Sequence, residues 1–167
     1  MVERVIIQKA SGAGPALSLC LALGSLAPGG PALAEPRAVH SQLLYVPVYS
    51  EIAYGDRRHT LNLSATVTVR NTDRKTPLKI TRVDYFDTAG SLIRSYQSAP
   101  RQLAPMASDY YVISGADRSG GTAASFLIAW ESTEAVSPPR VEAVMIGAAA
   151  THGISFTSTA QVLEERP

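Results

Sequence analysis

The sequence predicts an all-β fold, a single immunoglobulin-like antiparallel β-sandwich of about seven to eight strands. Apolar and polar residues alternate from Leu61 to Val69, which gives a strand one buried side and one solvent-facing side. Turn-forming residues recur about every 8–12 residues, a spacing typical of sandwiches and barrels. The stretch from Leu61 to Ile113 has almost no helical pattern. These observations favour two packed antiparallel sheets, with Trp130 in the core between them.

Turn chemistry delimits the individual strands. Pro47 cannot donate a backbone hydrogen bond, so the strand that contains it should lie at an edge or a bulge. The alternation slips between Ile80 and Val83, which indicates a bulge. The segment from Asp87 to Gly90 is typical of a hairpin turn with glycine at a position of positive φ. We predict strands at 42–52, 61–69, 78–86, 91–96, 108–113, 122–130, 140–149 and 153–159.

The first 34 residues have the features of a secretory signal peptide. Arg4 and Lys9 precede an apolar stretch of small residues, and an Ala-x-Ala pattern ends at Ala34. The stretch is too short and broken for a transmembrane helix, which needs about 20 apolar residues. We therefore expect export to the periplasm and cleavage after Ala34. The predicted organisation is a signal peptide at 1–34, a linker at 35–41, the sandwich at 42–162 and a frayed tail at 163–167.

Cys20 is the single cysteine and would leave with the signal peptide. The mature chain would then have neither a thiol nucleophile nor a cysteine metal ligand. A lipoprotein anchored through Cys20 is the alternative localisation. Leu19 is larger than the small residue expected before a lipidated cysteine, which disfavours the lipid anchor.

The charge distribution argues against nucleic acid as a partner. The formal net charge is +1, and removal of residues 1–34 would make the mature chain neutral. There is no basic block or stripe of the kind that neutralises phosphates. We expect an unknown envelope protein or a small ligand as the partner.

Residue spacing gives no support for an enzyme. The three histidines, His40, His59 and His152, have no metal-ligand spacing. Ser155 is close to His152 but lacks the Gly-x-Ser-x-Gly elbow of a serine hydrolase. We therefore predict no catalytic residue, no cofactor and no metal. A hydrolase that uses Ser155, His152 or His59 with Asp84 is the weakest of the alternatives.

Aromatic and charged residues around the first strand form the candidate recognition surface. Tyrosine beside arginine is common at interfaces because it combines a large apolar area with a polar tip. The same rings could instead form an aromatic edge of the core, or could stack on a carbohydrate or another small ligand. The candidate residues are Tyr45, Tyr49, Tyr54, Asp56, Arg57 and His59.

Five separated segments resemble a bacterial family of exported proteins known only as a domain of unknown function (number 3124). The resemblance covers about residues 43–162. It implies export and one compact domain, and it carries over no reaction and no catalytic residue. Some relatives look like lipoproteins. The segments are Tyr45–Ser50, Val69–Asp73, Val83–Tyr85, Glu142–Gly147 and Gly153–Ser158.

Overall fold

The strands of the protein were located in a computed structural model that describes residues 37–56, 59–149 and 152–167. The predicted signal peptide with Cys20, and also Arg57, lie outside the described residues. Within those residues, no helix is both long enough and apolar enough to span a membrane. The strands are β1 (Val39–Val48), β2 (Glu51–Tyr54), β3 (His59–Asn62), β4 (Ser64–Arg70), β5 (Leu78–Phe86), β6 (Leu92–Ser95), β7 (Arg101–Leu103), β8 (Ser108–Ile113), β9 (Ala124–Val136), β10 (Arg140–Ala149), β11 (His152–Thr159) and β12 (Gln161–Arg166).

The strands form two sheets and a separate hairpin. The first sheet has the order β12-β1-β9-β5-β6, with β7 also paired to β5. The second sheet has the order β11-β10-β4-β8, and β2 pairs with β3. Every pairing is antiparallel, and neither sheet closes into a barrel. The prediction of an all-β antiparallel fold is confirmed.

The core lies between the two sheets, where their inward-facing side chains form one buried cluster. The alternation predicts this correctly, since Leu63 and, in β4, Val67 and Val69 are fully buried. Trp130 is also buried in the core. The predicted strand at 61–69 is divided in the structure: Leu61 lies in β3 and is only half-buried, and Leu63 separates β3 from β4.

The two sheets contain the pairs β4–β8 and β5–β9. Beside these pairs, β1 lies next to β9, and β10 pairs with β4 in the opposite sheet. The finer immunoglobulin-like arrangement of the strands stays a prediction.

Pro47 lies in the part of β1 that forms an edge of the first sheet, whereas the earlier part of β1 is paired on both sides. β12 pairs with β1 from Ser41 to Tyr45, so this part of β1 lies inside the sheet. The pairing ends at Gln161, opposite Tyr45, and Pro47 lies beyond it with β9 as its partner strand. The prediction of an edge position therefore holds only for the second half of β1.

Both ends of the predicted sandwich differ from the structure. β1 begins at Val39, inside the predicted linker, and β12 includes most of the predicted frayed tail. The side chains of β12 are all exposed, so the strand has no apolar alternation that could reveal it. Backbone pairing with β1 holds it, together with a hydrogen bond of 2.7 Å from Gln42 Nε2 to Glu165 Oε2.

Two predicted irregularities are confirmed. The register between β5 and β9 shifts between Ile80 and Arg82, where the alternation slips. Gly90 has a φ of 81°, and its N–H donates to the carbonyl oxygen of Asp87 at 3.0 Å. The segment from Asp87 to Gly90 is therefore the predicted tight turn between β5 and β6.

The buried side chain of Asn71 joins two loops. Its Nδ2 donates to the carbonyl oxygens of Thr76, Leu103 and Ala104 at 3.0, 3.3 and 3.0 Å. Its Oδ1 accepts from the backbone N–H of Asp73 at 3.0 Å. One amide therefore connects the β4–β5 loop to the β7–β8 link.

Asp73 organises the same loop and reaches a third segment. Its carboxylate accepts from the backbone N–H groups of Lys75 and Thr76 at 2.8 and 2.9 Å. A longer bond of 3.4 Å comes from the N–H of Ser137, in the β9–β10 connection. The backbone bonds from Lys75 and Thr76, which favour the charged carboxylate, hold the pKa of Asp73 below its usual value.

The loop before β9 approaches β5 closely at Gly120. A Cβ there would overlap the Tyr85 hydroxyl and would lie 2.7 Å from both Ala124 Cβ and Ser50 Oγ. The Tyr85 hydroxyl and Ser50 Oγ form a buried hydrogen bond of 2.7 Å. Burial raises the pKa of Tyr85. Only glycine leaves room for this contact.

Candidate binding surface

The structure places the predicted surface residues on separate elements. Tyr45 lies half-buried on the outer face of the first sheet, between Gln161 of β12 and Leu127 of β9. Pro47 shares this face. Tyr49 lies beyond the end of β1 and packs edge-on against Phe156, with the ring centroids 5.6 Å apart. Tyr49 therefore belongs to the margin of the core.

The other predicted residues are in the β2–β3 hairpin. Tyr54 is half-exposed and its ring faces the ring of His59, with the centroids 5.4 Å apart. Asp56 is in the hairpin turn with a φ of 55°. The structure thus brings Tyr54 and His59 together, and it places Tyr45 on a different element.

A row of polar residues crosses the outer face of the first sheet. Cross-strand pairing aligns Arg166 with Ser41, Ser41 with Glu131, Glu131 with Lys79, and Lys79 with Gln102. Lys79 Nζ and Glu131 Oε1 form an ion pair at 3.4 Å. The row therefore presents both signs of charge across five strands.

Several irregularities of the sheet coincide with this polar row. In β1 the register with β9 shifts between Val39 and Ser41, so residues 132–135 of β9 lie opposite His40 alone. His40 Nδ1 lies 3.4 Å from the carbonyl oxygen of Ser132. The Ser132 hydroxyl donates to the carbonyl oxygen of Pro77 at 3.2 Å. Bulges are frequent at sheet edges and beside functional sites, where they redirect side chains.

An open cleft of about 670 Å³ lies at the irregular end of the sheet. A smaller cleft of about 310 Å³ adjoins it and shares Glu131 and Arg166. The walls offer guanidinium, ammonium, carboxylate, amide and hydroxyl groups. The larger cleft is lined by His40, Pro77, Leu78, Lys79, Gln102, Glu131, Ser132, Thr133 and Arg166.

A buried polar chain supports the clefts from beneath. Trp130 Nε1 donates to Gln42 Oε1 at 3.3 Å, and Gln42 Nε2 donates to Glu165 Oε2 at 2.7 Å. Trp130 and Gln42 are both buried. The chain ties the core to β12 and so fixes the strand that carries Arg166.

An apolar patch continues the surface beyond the polar row. Leu43 and Tyr45 of β1 lie beside Ala129 and Leu127 of β9, and all four are half-buried. The next strand, β5, contributes the ion pair between Arg82 and Asp84 on the same face. We name the polar row and this patch together the sheet-1 outer face.

The groups considered for a hydrolase lie on three different elements. Ser155 is on β11 in the second sheet, His59 is on the β2–β3 hairpin, and Asp84 is on β5 in the first sheet. Asp84 makes its ion pair with Arg82. In the part of the chain that the structure describes, no group of three or more His, Cys, Asp or Glu residues could hold a metal ion.

Comparison with known proteins identifies the family. Residues 41–163 match the model of the family described as "Protein of unknown function (DUF3124)". The chain belongs to this family. No curated protein matches the chain significantly. A crystal structure of protein 1070 from Thermotoga maritima is similar with a TM-score of 0.46 and 14% identity, over 78% of this chain and 98% of that one.

Sequence patterns do not reveal the polar row of this DUF3124 domain. Ser41, Lys79, Gln102, Glu131 and Arg166 are far apart in the sequence, and only the strand register aligns them. A charged residue on the outer side of a strand is ordinary. The available signals were the alternation slip in β5 and the outward phase of Tyr45.

Proposed function

We propose that this DUF3124 domain is an exported, non-enzymatic binding module of the bacterial cell envelope. Its recognition surface is the sheet-1 outer face, and its partner is an envelope protein. The observation that carries the proposal is the junction of a polar row with a half-buried apolar patch on one open sheet face. Interfaces commonly combine an apolar centre that contains tyrosine with a polar rim.

The chemistry of the face favours a partner with both signs of charge. Arg166 and Lys79 lie on either side of Glu131 along the polar row. Alternating charges of this kind select a complementary partner and repel an unmatched one. Because a buried polar chain holds β12, the face requires little ordering when a partner binds.

Export rests on the N-terminal sequence. Arg4 and Lys9, the apolar stretch and the Ala-x-Ala end at Ala34 support cleavage before Glu35. A non-enzymatic role is supported by the lack of a recognised catalytic motif in the sequence. The periplasm is then the compartment in which to search for the partner.

A photo-crosslinking amino acid at Tyr45 tests the proposal in the native host. We expect one defined protein adduct in the periplasmic fraction, on a mature chain that begins at Glu35. Glu131→Arg should reduce adduct formation about tenfold, because the row would then contain three cations and no carboxylate. The fold should persist, since an exposed ion pair contributes little stability.

Glu134→Arg is the matched control, because Glu134 is also an exposed glutamate of β9 and does not line the clefts. It should leave adduct formation unchanged. Equal adduct formation in both variants, or no adduct at all, would show that this face is not the recognition surface. A full-length species in the cytoplasm would contradict export.

A small polar ligand in the larger cleft is the second candidate. The volume of about 670 Å³ falls within the common range of ligand sites, roughly 300–1,000 Å³. Such a ligand would raise the melting temperature, because it binds only the folded state. A saccharide or amino acid whose thermal shift is lost in Glu131→Arg would favour this candidate over a protein partner.

A further inference from the structure

In the edge strand β11, the segment from Ile154 to Thr159 has none of the charges, prolines or bulges that protect exposed strand edges. Unpaired N–H and C=O groups at an edge attract other strands, and proteins counter this with charges, short strands, bulges or covering segments. Among the described residues, β11 pairs only with β10. The segment from Ile154 to Thr159 contains no charged residue and no proline. Its side chains are exposed apart from the half-buried Phe156 and Ser158.

The other edges of the two sheets are protected. β12 carries Glu164, Glu165 and Arg166, and its register with β1 is irregular. At β8 the carbonyl oxygen of Val112 already accepts from the Tyr96 hydroxyl at 3.1 Å. β6 and β7 are only four and three residues long. β11 is therefore the long edge that remains open to pairing in the described part of the chain.

We propose that β11 pairs antiparallel with β11 of a second copy of this chain, about a two-fold axis at Phe156. In one continuous sheet, directly opposite residues lie on the same face. This register therefore places Ser155 opposite the partner's Thr157 on the outer face. On the inner face, Ile154 lies opposite the partner's Ser158 and Phe156 opposite the partner's Phe156.

The side chains of β11 complement themselves in this register. Opposed serine and threonine hydroxyls and opposed aromatic rings stabilise antiparallel pairs. Each Phe156 already packs against Tyr49, so pairing joins the two Tyr49–Phe156 contacts into one aromatic cluster. An uncharged strand meets its own copy without repulsion, whereas self-pairing of β12 would bring the Glu164 and Glu165 carboxylates of both copies together.

The pairing forms a closed, isologous dimer and uses the second sheet. Such two-fold dimers are the commonest symmetric assemblies. Because β11 and the sheet-1 outer face belong to different sheets, the dimer does not depend on the proposed function. Failure of one proposal would leave the other intact.

Sedimentation equilibrium of the full-length chain tests the dimer. We expect the mass to rise with concentration from 17.7 kDa towards twice that value. In the double variant Ser155→Glu/Thr157→Glu, each new carboxylate would face another across the two-fold axis. Association should then weaken about tenfold or more.

The variant Ser155→Lys/Thr157→Glu is the matched control. It also introduces two charges at the same exposed positions, but the register brings opposite charges together, so the dimer should persist. Val162→Glu, on the exposed β12, should leave the mass distribution unchanged. A monomer at every concentration, association that Ser155→Glu/Thr157→Glu leaves unchanged, or equal weakening by both double variants would overturn the proposal.

Discussion

Gly120→Ala should destabilise the protein by about 3 kcal/mol, at the upper end of the usual overpacking penalties. The added methyl group would overlap the Tyr85 hydroxyl and press on Ser50 Oγ, so the buried hydrogen bond between these two groups would have to break or move. Urea unfolding at neutral pH measures the effect as a lower midpoint with an unchanged slope. The cost is steric, because Gly120 has an ordinary φ of −75°.

Gly115→Ala is the control for this prediction. A Cβ at Gly115 would meet its nearest heavy atom at 3.6 Å, which is an ordinary contact, so the free energy of unfolding should change little. Tyr85→Phe removes the overlapping hydroxyl and should make Gly120→Ala less costly, with a coupling energy of about 1–2 kcal/mol. Additive effects of Tyr85→Phe and Gly120→Ala would contradict the overlap at the hydroxyl.

The sequence predicts the strands that face the core better than those that do not. The alternation from Leu61 to Val69 marks the buried side of β4, since burial of apolar residues imposes a two-residue period. β12 has no buried side chain and therefore no such period. Backbone pairing and the hydrogen bond from Gln42 to Glu165 decide where β12 lies, and neither leaves an apolar period in the sequence of β12.

The candidate surface was only partly predictable for a related reason. The outward position of Tyr45 follows the two-residue period of β1. The alignment of Glu131 with Lys79 and Ser41 depends on register, which bulges in β9 and β5 alter. A bulge of one residue shifts every later pairing of its strand, so the polar row required the three-dimensional structure.

The segments that carry the family resemblance are explained by packing. Ser50 bonds the buried Tyr85, and Asn71 joins two loops. At Gly147 a Cβ would lie 2.6 Å from Leu63 Cδ2 and 2.9 Å from the carbonyl oxygen of Asn62, which accounts for a glycine in β10. These residues specify the sandwich, so the resemblance informs the fold.

Asn71→Ala should destabilise the protein by about 3 kcal/mol, because several hydrogen bonds of one buried amide are lost together. The carbonyl oxygens of Thr76, Leu103 and Ala104 would lose their donor, and water has little access to this position. The loop and the β7–β8 link would then separate more easily. Urea unfolding measures the loss, and faster amide exchange around Ala107, whose carbonyl oxygen accepts from the Asn71 N–H, should accompany it.

Two further variants test whether the buried Asn71 amide, and not the loop around it, supplies this stability. Asn71→Asp keeps the shape but points a carboxylate at three carbonyl oxygens, so it should cost at least as much as Asn71→Ala at neutral pH and less at acidic pH, where the carboxyl group can donate. Thr72→Ala removes only an exposed bond to the carbonyl oxygen of Pro138, and should cost about 0.5 kcal/mol. If Asn71→Ala and Thr72→Ala cost the same, the three carbonyl oxygens are not held by Asn71. A larger loss of unfolding free energy in Asn71→Ala would instead show that the buried amide of Asn71 stabilises these loops.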